Sequence, residues 1–159
     1  MNQKKISQVL TTGLIAGYGG KTEFTKVNRG GFELESSHFQ DGEIIYHDEW
    51  TNNGGQELVT VNGESFTRLY GGGVTNPEIL KSLNIIEKDV ANNLKERIIE
   101  LGDKTRLFSD FKAETKNNWD YEYIILDRNE EINVTTGKET ISFKNQPVFI
   151  HVFILSPIK

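Results

Sequence analysis

Two short stretches hold the residues best suited to chemistry. In "GEIIYHDEW", residues 42 to 50, strand alternation sets Tyr46, Asp48 and Trp50 on one face and His47 and Glu49 on the other. In "ESFTRLY", residues 64 to 70, the same rule groups Phe66, Arg68 and Tyr70. If both faces line one core or cleft, a carboxylate and a guanidinium stand among aromatic rings, and a charge in such a place must be paired or meet a ligand. The simpler reading is a structural Asp48–Arg68 ion pair. The sharper one is a pocket for a small polar molecule bounded by Asp48, Trp50, Arg68 and Tyr70.

Other chemistries have less to stand on. "GLIAGYGGKT", residues 13 to 22, imitates a phosphate-binding loop, but the position five before Gly20 is Ile15 where that motif needs glycine. It also follows a helical stripe rather than a strand. His38, His47 and His151 lack metal-ligand spacing, and neighbours His47 and Asp48 point to opposite faces of a strand. No metal or cofactor is expected, and His151, between Ile150 and Val152, reads as a core residue. No Gly-x-Ser-x-Gly elbow occurs. Glu57 and Glu139 are expected to be solvated on exposed hairpins, which sets aside a glycosidase-like carboxylate pair. No residue is assigned a catalytic role.

Composition narrows the classes further. The chain has 159 residues, 36% of them hydrophobic and 10% aromatic, enough for one domain with a real core. A net charge of -5 argues against direct nucleic-acid binding or an anionic membrane surface. The absence of cysteine excludes disulfides and thiol chemistry. No segment reaches the ~20 apolar residues of a membrane span, so a cytoplasmic protein is expected.

The elements that must position Asp48 and Arg68 follow from periodicity. Ile6, Val9, Leu10 and Leu14 mark one side of a first helix that Gly13 weakens and Gly17 ends. From about Phe32 to Tyr70 a two-residue period predicts four antiparallel strands, with turns at "TNNGG" and Asn62-Gly63. Thr75 with Glu78 has the form of a capping box before a helical stripe of Ile79, Leu83, Ile86, Val90, Leu94, Ile98 and Leu101, closed by Gly102. One helix or two consecutive helices fit that stripe. Its charged stretch "EKDVANNLKERIIE" reads as a wet helix face. Strand periodicity returns in "RLFSDF", "WDYEYIIL" and "VFIHVFIL", the last apolar on both faces like a central strand covered on each side.

Residues 55 to 70 can be laid without gaps on 137 to 152, matching Gly55 with Gly137, Glu57 with Glu139 and Phe66 with Val148. The half-repeats would be about 1–74 and 75–159 of a single domain. Four stretches then carry a resemblance: "IAGYGG", "YHDEW", "NNGGQELV" and "FTRLYGGGV", followed by a leucine-rich helix and a looser second hairpin. In these the chain resembles an uncharacterised bacterial domain family found alone or C-terminal to helix-turn-helix regulators. With strand periodicity from Phe32, no such DNA-reading module fits in front.

The expected fold is α+β, with two helix-plus-antiparallel-strand halves forming one curved sheet or two packed sheets. The resemblance implies a non-enzymatic ligand-sensing or protein-interaction module, whose partner is a small polar molecule, another protein or a second copy in a homodimer. The alternative is a small enzyme or carrier using an aromatic-lined cleft around Asp48 and Arg68. A solvent-open cleft favours the alternative, and a closed core with an exposed apolar patch favours the module or a dimer.

Overall fold

In the computed structural model, residues 3–17, 24–106 and 108–158 are described. The second half of the glycine-rich motif, residues 18–22, lies outside them. The element order is α1 (Gln3–Ala16), β1 (Thr25–Arg29), β2 (Phe32–Asp41), β3 (Ile44–Thr51), β4 (Gly54–Val61), β5 (Glu64–Val74), α2 (Pro77–Ser82), α3 (Glu87–Leu101), a 3-10 turn (Gly102–Arg106), β6 (Phe111–Lys112), β7 (Trp119–Asn129), β8 (Val134–Phe143) and β9 (Gln146–Ile158).

Among the described residues, nine strands form one unclosed antiparallel sheet, in the order β1-β2-β3-β4-β5-β9-β8-β7-β6. This is an α+β fold, and the expectation of two packed sheets is corrected: β5 and β9 pair over ten positions and fuse the two strand groups. Hairpins connect the neighbours on either side. Asn62 and Gly63 take positive φ angles at the β4–β5 turn, as do Lys144 and Asn145 at the β8–β9 turn, the backbone that two-residue hairpins require.

One face of the sheet carries the helices. Ile6, Val9 and Leu10 of α1 pack on Tyr46, Val59, Val61 and Phe66. Leu80 of α2 and Val90, Leu94 and Ile98 of α3 pack on Tyr121, Ile141, Val148, Phe149 and Phe153, and Leu14 of α1 joins that second cluster. Each such side chain contributes about 1.5–3 kcal/mol by leaving water. Gly13 does more than weaken α1. A Cβ there would lie 2.1 Å from Cγ of Tyr46, so the missing side chain lets the helix seat directly on that ring.

Several expectations are corrected in detail. The four strands expected from Phe32 to Tyr70 are β2 to β5, and among the described residues a further one, β1, precedes them as an edge strand whose exposed side chains leave no hydrophobic alternation to read. The cap of α2 is Asn76, whose side chain accepts from Glu78 N at 2.8 Å with Pro77 in the first turn, in place of a Thr75 box. Of the two arrangements the helical stripe allows, two consecutive helices form, and Asp89 accepts from Ile86 N at the start of α3. Within the supposed wet face of α3, Asn93 and Arg97 are buried, and Arg97 donates to Trp119 O. Among the described residues of "RLFSDF", only Phe111 is in a strand, and the 3-10 turn runs through Arg106.

Among the described residues, the last strand is central but covered on one side only. Ile150, Val152 and Ile154 are exposed on the outer face beside Leu69, while Phe149, Phe153 and Leu155 are buried beneath the helices. Among the described residues, no helix is long and apolar enough to cross a membrane.

Candidate functional site

The covered face brings the four singled-out residues onto adjoining strands. Asp48 and Trp50 stand on β3, Arg68 and Tyr70 on β5, and β4 lies between them. In the register Asp48 faces Glu57, which faces Arg68, and Trp50 faces Gly55, which faces Tyr70. Gly55 makes the second row workable. A Cβ at this position would lie 2.6 Å from the Tyr70 hydroxyl and 2.7 Å from Trp50 Cβ, so only glycine leaves room for Tyr70 to lean across β4. It does so, and its hydroxyl donates to Asp48, 3.1 Å from Oδ1 and 3.3 Å from Oδ2.

Arg68 is engaged by two glutamates. Its Nη1 donates to Glu57 Oε2 at 2.7 Å, and its Nη2 lies 3.7 Å from Glu139 Oε2. The guanidinium also lies 5.1 Å from the Tyr70 ring centroid and 4.9 Å from that of Phe153, within cation–π range. Each glutamate takes a tyrosine hydroxyl as well: Tyr46 donates to Glu57 Oε1 at 2.9 Å and Tyr121 to Glu139 Oε1 at 2.7 Å. Asp48, Glu57, Arg68 and Glu139 are 3%, 0%, 2% and 1% exposed. Charges so deeply buried persist only with this density of hydrogen bonds and opposite charge.

The expectation that Glu57 and Glu139 are solvated is therefore corrected. Both strands carry the signal: Glu57 alternates with Val59 and Val61, and Glu139 with Ile141, so the period that assigns the valines and isoleucine to the core assigns the glutamates there too. His151 is half-buried rather than a sealed core residue, with its ring 4.3 Å from that of Phe149 and 5.1 Å from that of Tyr70.

Above this floor the helices leave a gap. A cavity of about 330 Å³ lies between the sheet and the helices, lined by Asp48, Trp50, Tyr70, Phe149, His151 and Glu139 from the strands. Leu14 of α1 and Ala91, Leu94 and Ile98 of α3 close it from the other side, and Glu35, Glu87 and Lys88 stand at the rim. Thus Asp48, Trp50 and Tyr70 line the cavity, and Arg68 underlies it, between the Tyr70 and Phe153 rings. Among the described residues, no group of three or more histidine or acidic side chains is placed to hold a metal ion. The arrangement offers hydrogen-bond acceptors, a tyrosine hydroxyl and aromatic walls, the makings of a binding site.

No family model, curated protein or solved structure matches the chain.

Proposed function

We propose that the protein binds a small polar molecule in the cavity over Asp48, Trp50 and Tyr70, as a ligand-sensing module or as the carrier that a cleft open at its rim favours. The observation that carries this reading is the cavity itself: apolar helix side chains roof it, while a few convergent polar groups, Asp48, Glu139 and the Tyr70 hydroxyl, occupy its floor. That is the composition of small-molecule sites, and about 330 Å³ falls at the small end of their usual range of ~300–1,000 Å³. A sensing role accords with the resemblance to regulator-associated domains. Ligand between α3 and the sheet would stabilise one helix position over others, the differential contact that any sensor requires.

The same reading treats residues 1–74 and 75–159 as two copies of one unit. Its support is a matched set of partners: Tyr46 donates to Glu57, which faces Arg68, and Tyr121 donates to Glu139, which faces His151. An irregularity between Ile141 and Ser142 adds one residue to β9, so by register Phe66 corresponds to Phe149 rather than to Val148.

A thermal-shift screen over metabolites tests the binding reading. A ligand at 100 times its dissociation constant is expected to add ~2.7 kcal/mol of stability. Ala91→Phe, which places a ring in the cavity from the rim of α3, is expected to abolish the shift, and an undiminished shift in that variant contradicts the assignment of the site.

A second reading has its own observation. Leu69 faces Ile154 on the outer side of the central strands, with Val152 and Ile150 continuing the exposed stripe. We infer a homodimer in which a second copy stacks on this stripe about a two-fold axis, covering it with the same residues. Sedimentation equilibrium tests it: Val152→Glu is expected to shift a dimer to monomer, and a wild-type protein that stays monomeric at all concentrations contradicts it.

A further inference from the structure

We propose that the ligand of the cavity is a small organic cation, an ammonium group carried on an apolar or aromatic body. The proposal rests on the reading of the cavity as a ligand site and adds the charge class of the guest. Four acidic residues line the space, Asp48 and Glu139 on the floor and Glu35 and Glu87 at the rim, against one basic residue, Lys88. Arg68, the strongest cation nearby, lies beneath the Tyr70 ring with its charge directed to Glu57 and Glu139.

Three features of the site favour a cation together. Asp48 is almost wholly withdrawn from water and accepts from the neutral Tyr70 hydroxyl, so a positive guest reaching it interacts through a medium that screens far less than bulk solvent. Trp50, Tyr70 and Phe149 border the same space, and aromatic side chains are the apolar groups most favourable to a cation. An anionic guest, by contrast, meets like charges at the floor and at the rim, a repulsive selection built into the lining. Leu14, Leu94 and Ile98 supply the apolar surface against which the body of such a molecule loses its water.

Calorimetric titration with a matched series tests the charge class: phenethylamine and benzyltrimethylammonium as cations, phenethyl alcohol as the neutral analogue and 3-phenylpropionate as the anion. The cations are expected to bind at least about tenfold more tightly than the alcohol, because a hydrogen bond or contact to a buried charge exceeds its neutral counterpart by that order. The anion is expected to give no heat of binding. Asp48→Asn, checked for native circular dichroism, is expected to bring phenethylamine close to the alcohol. Glu87→Gln, at the exposed rim and outside the packed core, is expected to weaken both cations and leave the alcohol unchanged. If the alcohol or the anion binds as tightly as the cations and Ala91→Phe abolishes that binding, the cation proposal falls while the cavity stands. If no member of the series binds the wild type at millimolar concentration, the cation proposal is contradicted, and the metabolite thermal-shift screen decides the cavity reading by itself.

Discussion

Arg68 donates from Nη1 to Glu57 Oε2 at 2.7 Å across the β4–β5 pair, with both side chains out of reach of solvent. The bond fixes the charge balance of the whole floor, since the same guanidinium approaches Glu139 on β8. Replacing Arg68 by Met removes the cation and leaves buried carboxylates behind, and we expect a loss of about 3–5 kcal/mol in urea unfolding. Adding Glu57→Gln to that variant is expected to restore part of the loss. A double variant no more stable than Arg68→Met would show that packing of the long side chain, rather than charge, is what Arg68 supplies.

The closeness of α1 to the sheet gives a second prediction. In an exposed helix Gly→Ala gains about 1 kcal/mol. At Gly13 the added methyl meets the Tyr46 ring, and an overpacked contact of this kind costs about 1–3 kcal/mol. Gly13→Ala is therefore expected to lower the melting temperature, and a rise would contradict the seating of α1 on Tyr46.

Adjacent residues of β9 should behave oppositely. Phe153 is 1% exposed and stacks on Tyr123 with centroids 4.9 Å apart, whereas Val152 is 50% exposed. Phe153→Ala is expected to cost about 3–5 kcal/mol. In the isolated protomer, Val152→Thr is expected to stay within about 0.5 kcal/mol of wild type. Equal effects in chemical denaturation would mean that both faces are covered.

A fourth prediction concerns acid. Glu49 lies on the outer face of β3, and the Arg29 guanidinium, donating from Nη2 at 2.7 Å, holds its carboxyl below the ordinary carboxylate range, with His47 adding to the effect. A carboxyl whose folded value is depressed contributes stability above its unfolded value and loses it as the pH falls through the folded value. The contribution is small because Arg29 is largely exposed. Followed by carbon NMR, the Glu49 midpoint is expected to move up in Arg29→Ala, and the small acid-dependent loss of stability to flatten in Glu49→Gln. A midpoint unmoved by Arg29→Ala would remove Arg29 as its cause.

Which parts of this fold were legible follows from how each residue is used. Ile6, Val9, Leu10 and Leu14 were readable because one helix face meets one core, and the faces of β3 and β5 because alternation there is clean. Asp48, Trp50 and Tyr70 fell into place around one cavity on that basis. The partners of Arg68 were not foreseen. Glu139 belongs to β8, and no local pattern tells that β9 will insert beside β5 and bring β8 within reach. Ile150, Val152 and Ile154 misled for a related reason, since an apolar strand looks the same whether its second face is covered by helices or left open. The edge strand β1 had too little burial to leave a period at all.

The central claim, that the cavity beside Trp50 receives a small molecule, is tested most directly by the fluorescence of that indole. The chain has two tryptophans, so Trp119→Phe leaves Trp50 as the only reporter. Titrating this protein with benzyltrimethylammonium is expected to change Trp50 emission saturably, with a midpoint equal to the calorimetric dissociation constant and no change in Ala91→Phe. Saturable binding by calorimetry with Trp50 emission unaltered, or the same emission change in Ala91→Phe, would contradict it.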